Sequence, residues 1–434
     1  MIKAFYNPGR VFLFFILMIL SVSTTCGQQP KHFTIEEMYK LAQKNYPLIK
    51  QHGLISKTKE YTVANAAKGY LPTFSINGQA TYQSAVTSFP FTIPIPGFAL
   101  PTFSKDQYKI YAEADQLIYD GGAIKNQKEN AALTESTQEQ NLQIELYALF
   151  DRVNQLFFGA LLIDEQLKQN DLVKKDLQNG IDRAKALVAS GTAYRSNVDE
   201  LSAQLLQNEQ TRIEMNAEVK GYMAMLTVFT NTPLDEKTIL EKPPVPQPVD
   251  LNNRPELLYY DYQKKTYDLQ EDLLNVQLRP KISLFLQGGY GRPGLNFLNN
   301  DFQWFYYGGL RLSWNLGGLY TLKNQKQLLD LNRETIDVQK ETFLFNTKIT
   351  LRQQNAEIQK HIDLYKNDSA ILALRESVKK AAAAQLQNGV ITARDFITEV
   401  NAEDEARQSL ILHEIQWLQA QYSYQNTLGN TKAQ

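Results

Sequence analysis

The sequence predicts an α+β chain in which four membrane-type strands run into two very long helical hairpins. Three observations predict it. A helix–strand pattern is written twice, four runs alternate apolar and polar residues with period two, and two long stretches without proline keep heptad spacing.

The duplication comes first. Asn45-Tyr46-Pro47 opens a polar helical stretch that ends at Tyr70-Leu71-Pro72, and Asn253-Arg254-Pro255 opens another that ends at Leu278-Arg279-Pro280. Downstream, Asp120-Gly121-Gly122 and Lys125-Asn126-Gln127-Lys128 are answered by Leu316-Gly317-Gly318 and Lys323-Asn324-Gln325-Lys326. Gly191 is answered by Gly389 at the same distance from its tetrad. Two halves with one pattern occupy equivalent structural roles. The division predicted is a signal peptide over 1–27, a first repeat over 28–242, a Pro-rich linker over 243–250 and a second repeat over 251–434. Pro243-Pro244-Val245-Pro246-Gln247-Pro248 has no place inside a helix and reads as extended chain.

The leader carries Lys3 and Arg10, then the apolar run Val11 to Leu20, then Ser23-Thr24-Thr25-Cys26-Gly27. That run is too short to span a bilayer, so export followed by cleavage near Gly27-Gln28 is expected. Lipid attachment at Cys26, the only cysteine, is the alternative. A mature exported chain without cysteine holds no disulfide. The formal charge of −1 gives no basic surface for nucleic acid.

The strands follow, expected at about 72–86, 106–119, 280–292 and 302–316. Phe74, Ile76, Ala80 and Tyr82 alternate with Ser75, Asn77 and Gln79, and Tyr108, Ile110, Ala112 and Ala114 with Lys109, Glu113 and Asp115. Ile282, Leu284, Leu286 and Tyr290 alternate with Lys281, Ser283 and Gln287, with Phe285 out of pattern. Trp304, Tyr306, Leu310 and Leu312 alternate with Gln303, Arg311 and Ser313. Period two puts one face of each strand in an apolar medium. Each run is roughly 12–15 residues, against about 5–6 for a soluble strand and roughly 9–11 for a tilted membrane strand. Four strands are too few to close a membrane barrel, and an open sheet edge in lipid leaves backbone groups unpaired. Strands in a membrane therefore require copies of the chain to share a barrel; a trimer supplies twelve.

The helices are next. Leu142, Leu146, Leu149, Val153, Leu156, Ala160, Ile163 and Leu167 hold a 4-3 spacing that passes through Asn170 and Lys174 and resumes at Leu177, Ile181, Ala184 and Val188. In the second half Leu344, Leu351, Ile358, Tyr365 and Leu372 recur every seventh residue. At 1.5 Å per residue these helices reach on the order of 100 Å. Each bends back at Gly191 or Gly389 and joins its strands through paired glycines.

This layout resembles the TolC-like outer-membrane efflux proteins over essentially the whole mature chain. In that family a bend glycine is followed six residues later by Asp and an apolar residue. Gly389 with Asp395-Phe396 fits, and Gly191 with Asn197-Val198 keeps the apolar residue but carries an amide. The resemblance implies a homotrimer with a 12-stranded outer-membrane β-barrel continuous with a periplasmic α-helical coiled-coil barrel. It also implies partners: a periplasmic adaptor protein at the tip and an inner-membrane RND or ABC pump. No cofactor, metal or catalysis is implied. The candidate docking tip is Gly191, Thr192, Gly389, Val390 and Ile391. The candidate pore gate is Asp395, with Thr398 where the family's second acid stands and Asn197 in the first repeat. Leu386 and Ile391 replace the family's tip-closing Tyr and Arg, so that network is not carried over; Arg195 and Arg394 are the basic residues nearby. Asp395 either concentrates cations in the pore or is a helix-start acid beside a bend.

The apolar loop 87–103, with Phe89-Pro90-Phe91 and Ile93-Pro94-Ile95-Pro96, is placed outside the cell by that topology. Gly288-Gly289-Tyr290-Gly291 lacks the Lys of a phosphate loop and lies in a strand pattern. His32, His52, His361 and His413 show no metal-ligand spacing. The competing reading is a periplasmic coiled-coil scaffold whose strands form a soluble cap.

Overall fold

The computed structural model describes residues 31–87, 90, 104–235, 237–247 and 251–431. The signal peptide, Cys26, most of the apolar loop and the end of the linker lie outside the described residues. In chain order the elements are β1 (His32–Phe33), α1 (Ile35–Asn45), a 3₁₀ turn (Pro47–Lys50), α2 (Gln51–Lys68), β2 (Thr73–Tyr82) and β3 (Asp106–Tyr119). The first hairpin is α3 (Ala123–Tyr147), α4 (Leu149–Ala189) and α5 (Arg195–Thr230). Then come β4 (Ile239–Leu240), α6 (Pro255–Gln277), β5 (Lys281–Arg292) and β6 (Gln303–Ser313), and the second hairpin, α7 (Leu319–Gln387) and α8 (Ala393–Thr427).

β2, β3, β5 and β6 form one antiparallel sheet in that order, and no barrel closes within the chain. The outer edges of β2 and β6 have no strand partner among the described residues. The register places Ile76, Ala112, Gly288 and Tyr306 in one row and Ser75, Glu113, Gln287 and Tyr307 in the next, on the opposite face. A bulge between Leu117 and Tyr119 shifts the lower end of β3.

The glycine pairs between sheet and helix are not equivalent. Gly121 and Gly122 sit at φ +74° and +100°, which a side chain rarely tolerates. Asp120, buried beside them, accepts from the backbone N–H of Gly122 at 2.8 Å and of Ile124 at 2.6 Å, so it caps α3. In the second repeat Gly318 has φ −61°, and Asn315 accepts from the Gly317 N–H at 3.0 Å. The two pairs thus differ: the left-handed turn exists only at the first.

Helix α7 runs unbroken for 69 residues, whereas its counterpart is interrupted between α3 and α4 at Ala148. Of the seam residues, Leu142, Leu146, Leu149, Val153, Ala160, Leu177, Ile181 and Ala184 are buried, and Leu156, Ile163, Leu167 and Val188 are half-buried. Where the apolar spacing lapses, Asn170 donates to Asn208 Oδ1 at 2.9 Å across the hairpin, and Lys174 reaches Glu209 at 3.0 Å. The largest core lies beside the helix break. There α1 places Ile35, Met38, Tyr39 and Ala42 against Phe150, Phe157, Phe158, Leu226 and Tyr422. The α3–α4 helix contains a window apolar enough to span a membrane, and 56% of that window is buried within the chain, as a core helix would be.

β1 and β4 pair in parallel beside this core, and Pro244 and Gln247 of the linker accept hydrogen bonds from Tyr422 (3.2 Å) and Gln425 (3.1 Å) of α8. The linker as far as Gln247 is thus extended chain laid along the second hairpin.

Candidate functional site

Both bends lie at one end of the molecule, and both are closed by the same hydrogen bonds. Gly191, at φ +76°, donates to the Val188 carbonyl at 3.0 Å, and Thr192 donates to Leu187 at 2.9 Å. Gly389, at φ +69°, donates to Leu386 at 3.0 Å, and Val390 donates to Gln385 at 2.9 Å. This paired pattern satisfies the last carbonyls of a helix and needs a left-handed residue at its corner, hence glycine.

The return helices start differently. Thr392 and Asp395 form a reciprocal capping box: the Asp395 N–H donates to Thr392 Oγ1 (3.2 Å), and the Thr392 N–H and hydroxyl donate to Asp395 Oδ2 (3.0 and 2.7 Å). Those hydrogen bonds hold the exposed Asp395 carboxyl below the usual carboxylate range. In the first repeat Tyr194 takes the place of Thr392; it is 83% exposed and α5 has no side-chain cap. Asn197 stands where Asp395 does and donates its backbone N–H to the Tyr194 carbonyl at 3.1 Å. Thr398 is exposed and its hydroxyl donates to the Arg394 carbonyl at 3.0 Å.

Leu386 and Ile391 occupy different places. Leu386 is 1% exposed, inside a cluster with Val173, Leu177, Ala184, Leu201, Phe396 and Val400, and Ile391 packs on its rim. This cluster joins the two hairpins at the tip, where Arg183 also donates to the Ala383 carbonyl at 3.0 Å. Val390 is 70% exposed beyond it. One helical turn pair higher, Glu403 is buried between Lys379 (3.0 Å) and Arg407 (2.8 Å), and Lys379 also reaches Asp176 of α4 at 2.7 Å. Charge pairing thus continues the contact that the apolar cluster begins.

At the other end the sheet has two unlike faces. One presents Phe74, Ile76, Trp304 and Tyr306, each 79–82% exposed, with Ile110, Leu286 and Leu310 beside them. The other holds a polar network: Arg311 pairs with Glu113 (2.8 Å) and Asp115 (3.0 Å), Ser283 donates to Asp115 at 3.1 Å, and Gln287 donates to Glu113 at 2.6 Å. Phe285, the residue out of pattern, lies on this face with the Arg311 guanidinium 4.6 Å from its ring centre.

The shape of the whole chain matches solved channels. The CusC structure, which concerns transmembrane channel formation, superposes with a TM-score of 0.64 over 94% of this chain and 95% of that one, at 13% identity. The open-state MtrE outer-membrane channel of Neisseria gonorrhoeae gives 0.62 over 92% and 90%, at 14% identity. The CmeC outer-membrane channel of Campylobacter jejuni gives 0.60 over 92% and 86%, at 12% identity. This chain has the fold of the outer-membrane channels. No family model and no curated sequence matches it.

Within this fold two histidines with no telling spacing in the sequence come together. His361 of α7 and His413 of α8, unremarkable in sequence, have ring centres 6.1 Å apart, and His413 Nδ1 bonds Asp368. Repeat alignment was the available signal, because His361 and Asp368 stand where Ile163 and Asn170 hold the first seam. Among the described residues no three His, Cys, Asp or Glu side chains are placed to hold a metal ion. Gly288 to Gly291 lie within β5.

Proposed function

We propose that the protein is the outer-membrane exit channel of a tripartite efflux or type I secretion system. Three copies complete a twelve-stranded barrel, and their hairpins form a tunnel reaching into the periplasm. The two-faced sheet carries this reading. Its apolar face is open to the surroundings at Trp304 and Ile76, its opposite face is polar, and both edge strands await partners. An apolar band outside and a polar lumen inside is the arrangement a membrane barrel requires. A soluble cap would leave the same large apolar face in water. In this reading the bends at Gly191 and Gly389 dock on a periplasmic adaptor that connects to an RND or ABC pump, and Asp395 and Thr398 line the narrow end.

Covalent linkage tests the assembly. β2 and β6 are opposite edges of one sheet, three strand spacings of roughly 4.8 Å apart, too far for a disulfide within a chain. In a Cys26→Ser background, cysteine pairs, one placed in β2 and one in β6 of the same chain and scanned along both strands, are expected to yield covalent trimers in at least one register. Monomers in every register would contradict the shared barrel.

A further inference from the structure

The polar face of the sheet has an aromatic notch that the channel reading does not use. Gly289 of β5 stands in register between Tyr111 of β3 and Phe305 of β6. A Cβ there would come within 2.6 Å of the Tyr111 Cβ and 2.5 Å of the Ile110 oxygen, so the floor is bare backbone. The β5–β6 turn places Leu295 over the same spot, and Phe305 and Gln287 there are only 9% and 8% exposed. With Tyr307 and Lys109 these groups bound a cleft of about 300 Å³, at the small end of the ~300–1,000 Å³ typical of small-molecule sites. The neighbouring cations are already neutralised: Arg311 by Glu113 and Asp115, and Arg292 by Asp106 at 2.9 Å. Lys109 has no ion pair among the described residues.

We propose that this cleft is a transient binding station for organic anions that carry an aromatic ring system. The ring lies against Tyr111 and Phe305, whose faces favour offset or edge contact, and the anionic group meets the Lys109 ammonium. A single exposed cation keeps the hold weak, as a site on a conducting path must be. The inference rests on the channel reading, because only there does this face line a lumen.

The test uses full-length trimers in planar bilayers with 2-naphthoate added on the sheet side. Brief current blockades are expected, with dwell times about tenfold shorter in Lys109→Gln, equivalent to about 1.4 kcal/mol, and restored in Lys109→Arg. The neutral 2-naphthamide is expected to block the parent channel as briefly as 2-naphthoate blocks Lys109→Gln. Equal dwell times in parent and Lys109→Gln, or for carboxylate and amide, would overturn the site, as would conducting pores without blockades. Absence of any pore would instead count against the channel itself.

Discussion

The Phe396 ring of the second hairpin lies directly on Gly180 of the first. A Cβ at position 180 would meet Phe396 Cε1 at 2.9 Å, and Phe396 is 3% exposed. A helix-interior glycine ordinarily costs stability; here its missing side chain is the socket that lets α4 and α8 close at the tip.

Gly180→Val is therefore expected to separate the hairpins locally. Overpacking of this kind costs about 1–3 kcal/mol, and Phe396→Ala, which empties the socket, about 3–5 kcal/mol. Hydrogen exchange of amides around 177–201 and 393–400 should accelerate in both variants, while the core at Phe150 and Phe157 stays protected. Unchanged exchange at the tip would show that this contact does not hold the hairpins together.

The Asn170–Asn208 pair supplies a second prediction. Both side chains are buried and bond each other. Asn170→Ala leaves the buried Asn208 Oδ1 without its donor, at about 1–3 kcal/mol, whereas Asn170→Leu with Asn208→Leu is close to neutral. A double-mutant cycle read by protection of the α4–α5 amides checks this. Equal losses for the single and double variants would remove the pair as a unit of the seam.

The environment of His361 predicts that the second hairpin loosens in acid. Burial is the main cause lowering its pKa; Lys360 of its own helix and His413 of α8 act the same way, and Glu357 opposes them. Its Nδ1 is buried without a partner. A folded-state pKa below the unfolded value of about 6.5 means full stability above that value, lost as pH falls through it. Exchange across 358–372 should rise as pH falls below about 6.5, and His361→Ile, the residue the first repeat uses, should flatten the profile. The same acid response in that variant would assign it elsewhere.

Asp395 separates gate from cap. Asp395→Asn removes the charge, and Thr392→Ala breaks the capping box but keeps the carboxylate. If Asp395 concentrates cations at the narrow end, cation preference in bilayers should fall in Asp395→Asn and persist in Thr392→Ala. Equal selectivity in both variants would leave it only the helix-start role.

Much of this was legible where a local rule acts alone. The bends follow from Gly191 and Gly389, because left-handed backbone demands glycine. The strands follow from period two, and the first seam from its unbroken apolar spacing. The second seam was read only at every seventh residue, because its alternate positions are Thr347, Gln354, His361 and Asp368, polar groups that hide the period. The break at Ala148 and the Gly180–Phe396 socket depend on packing between distant segments, which no local pattern encodes. β1 and β4, of two residues each, are too short to show periodicity. At the tip, the place of Asp395 was legible; the burial of Leu386 and the uncapped, exposed Tyr194 were not.

Conductance tests the central claim most directly. Purified full-length protein reconstituted in planar bilayers is expected to give stable, ohmic pores from a detergent-extracted trimer. A water-soluble monomer that leaves the bilayer silent would contradict it.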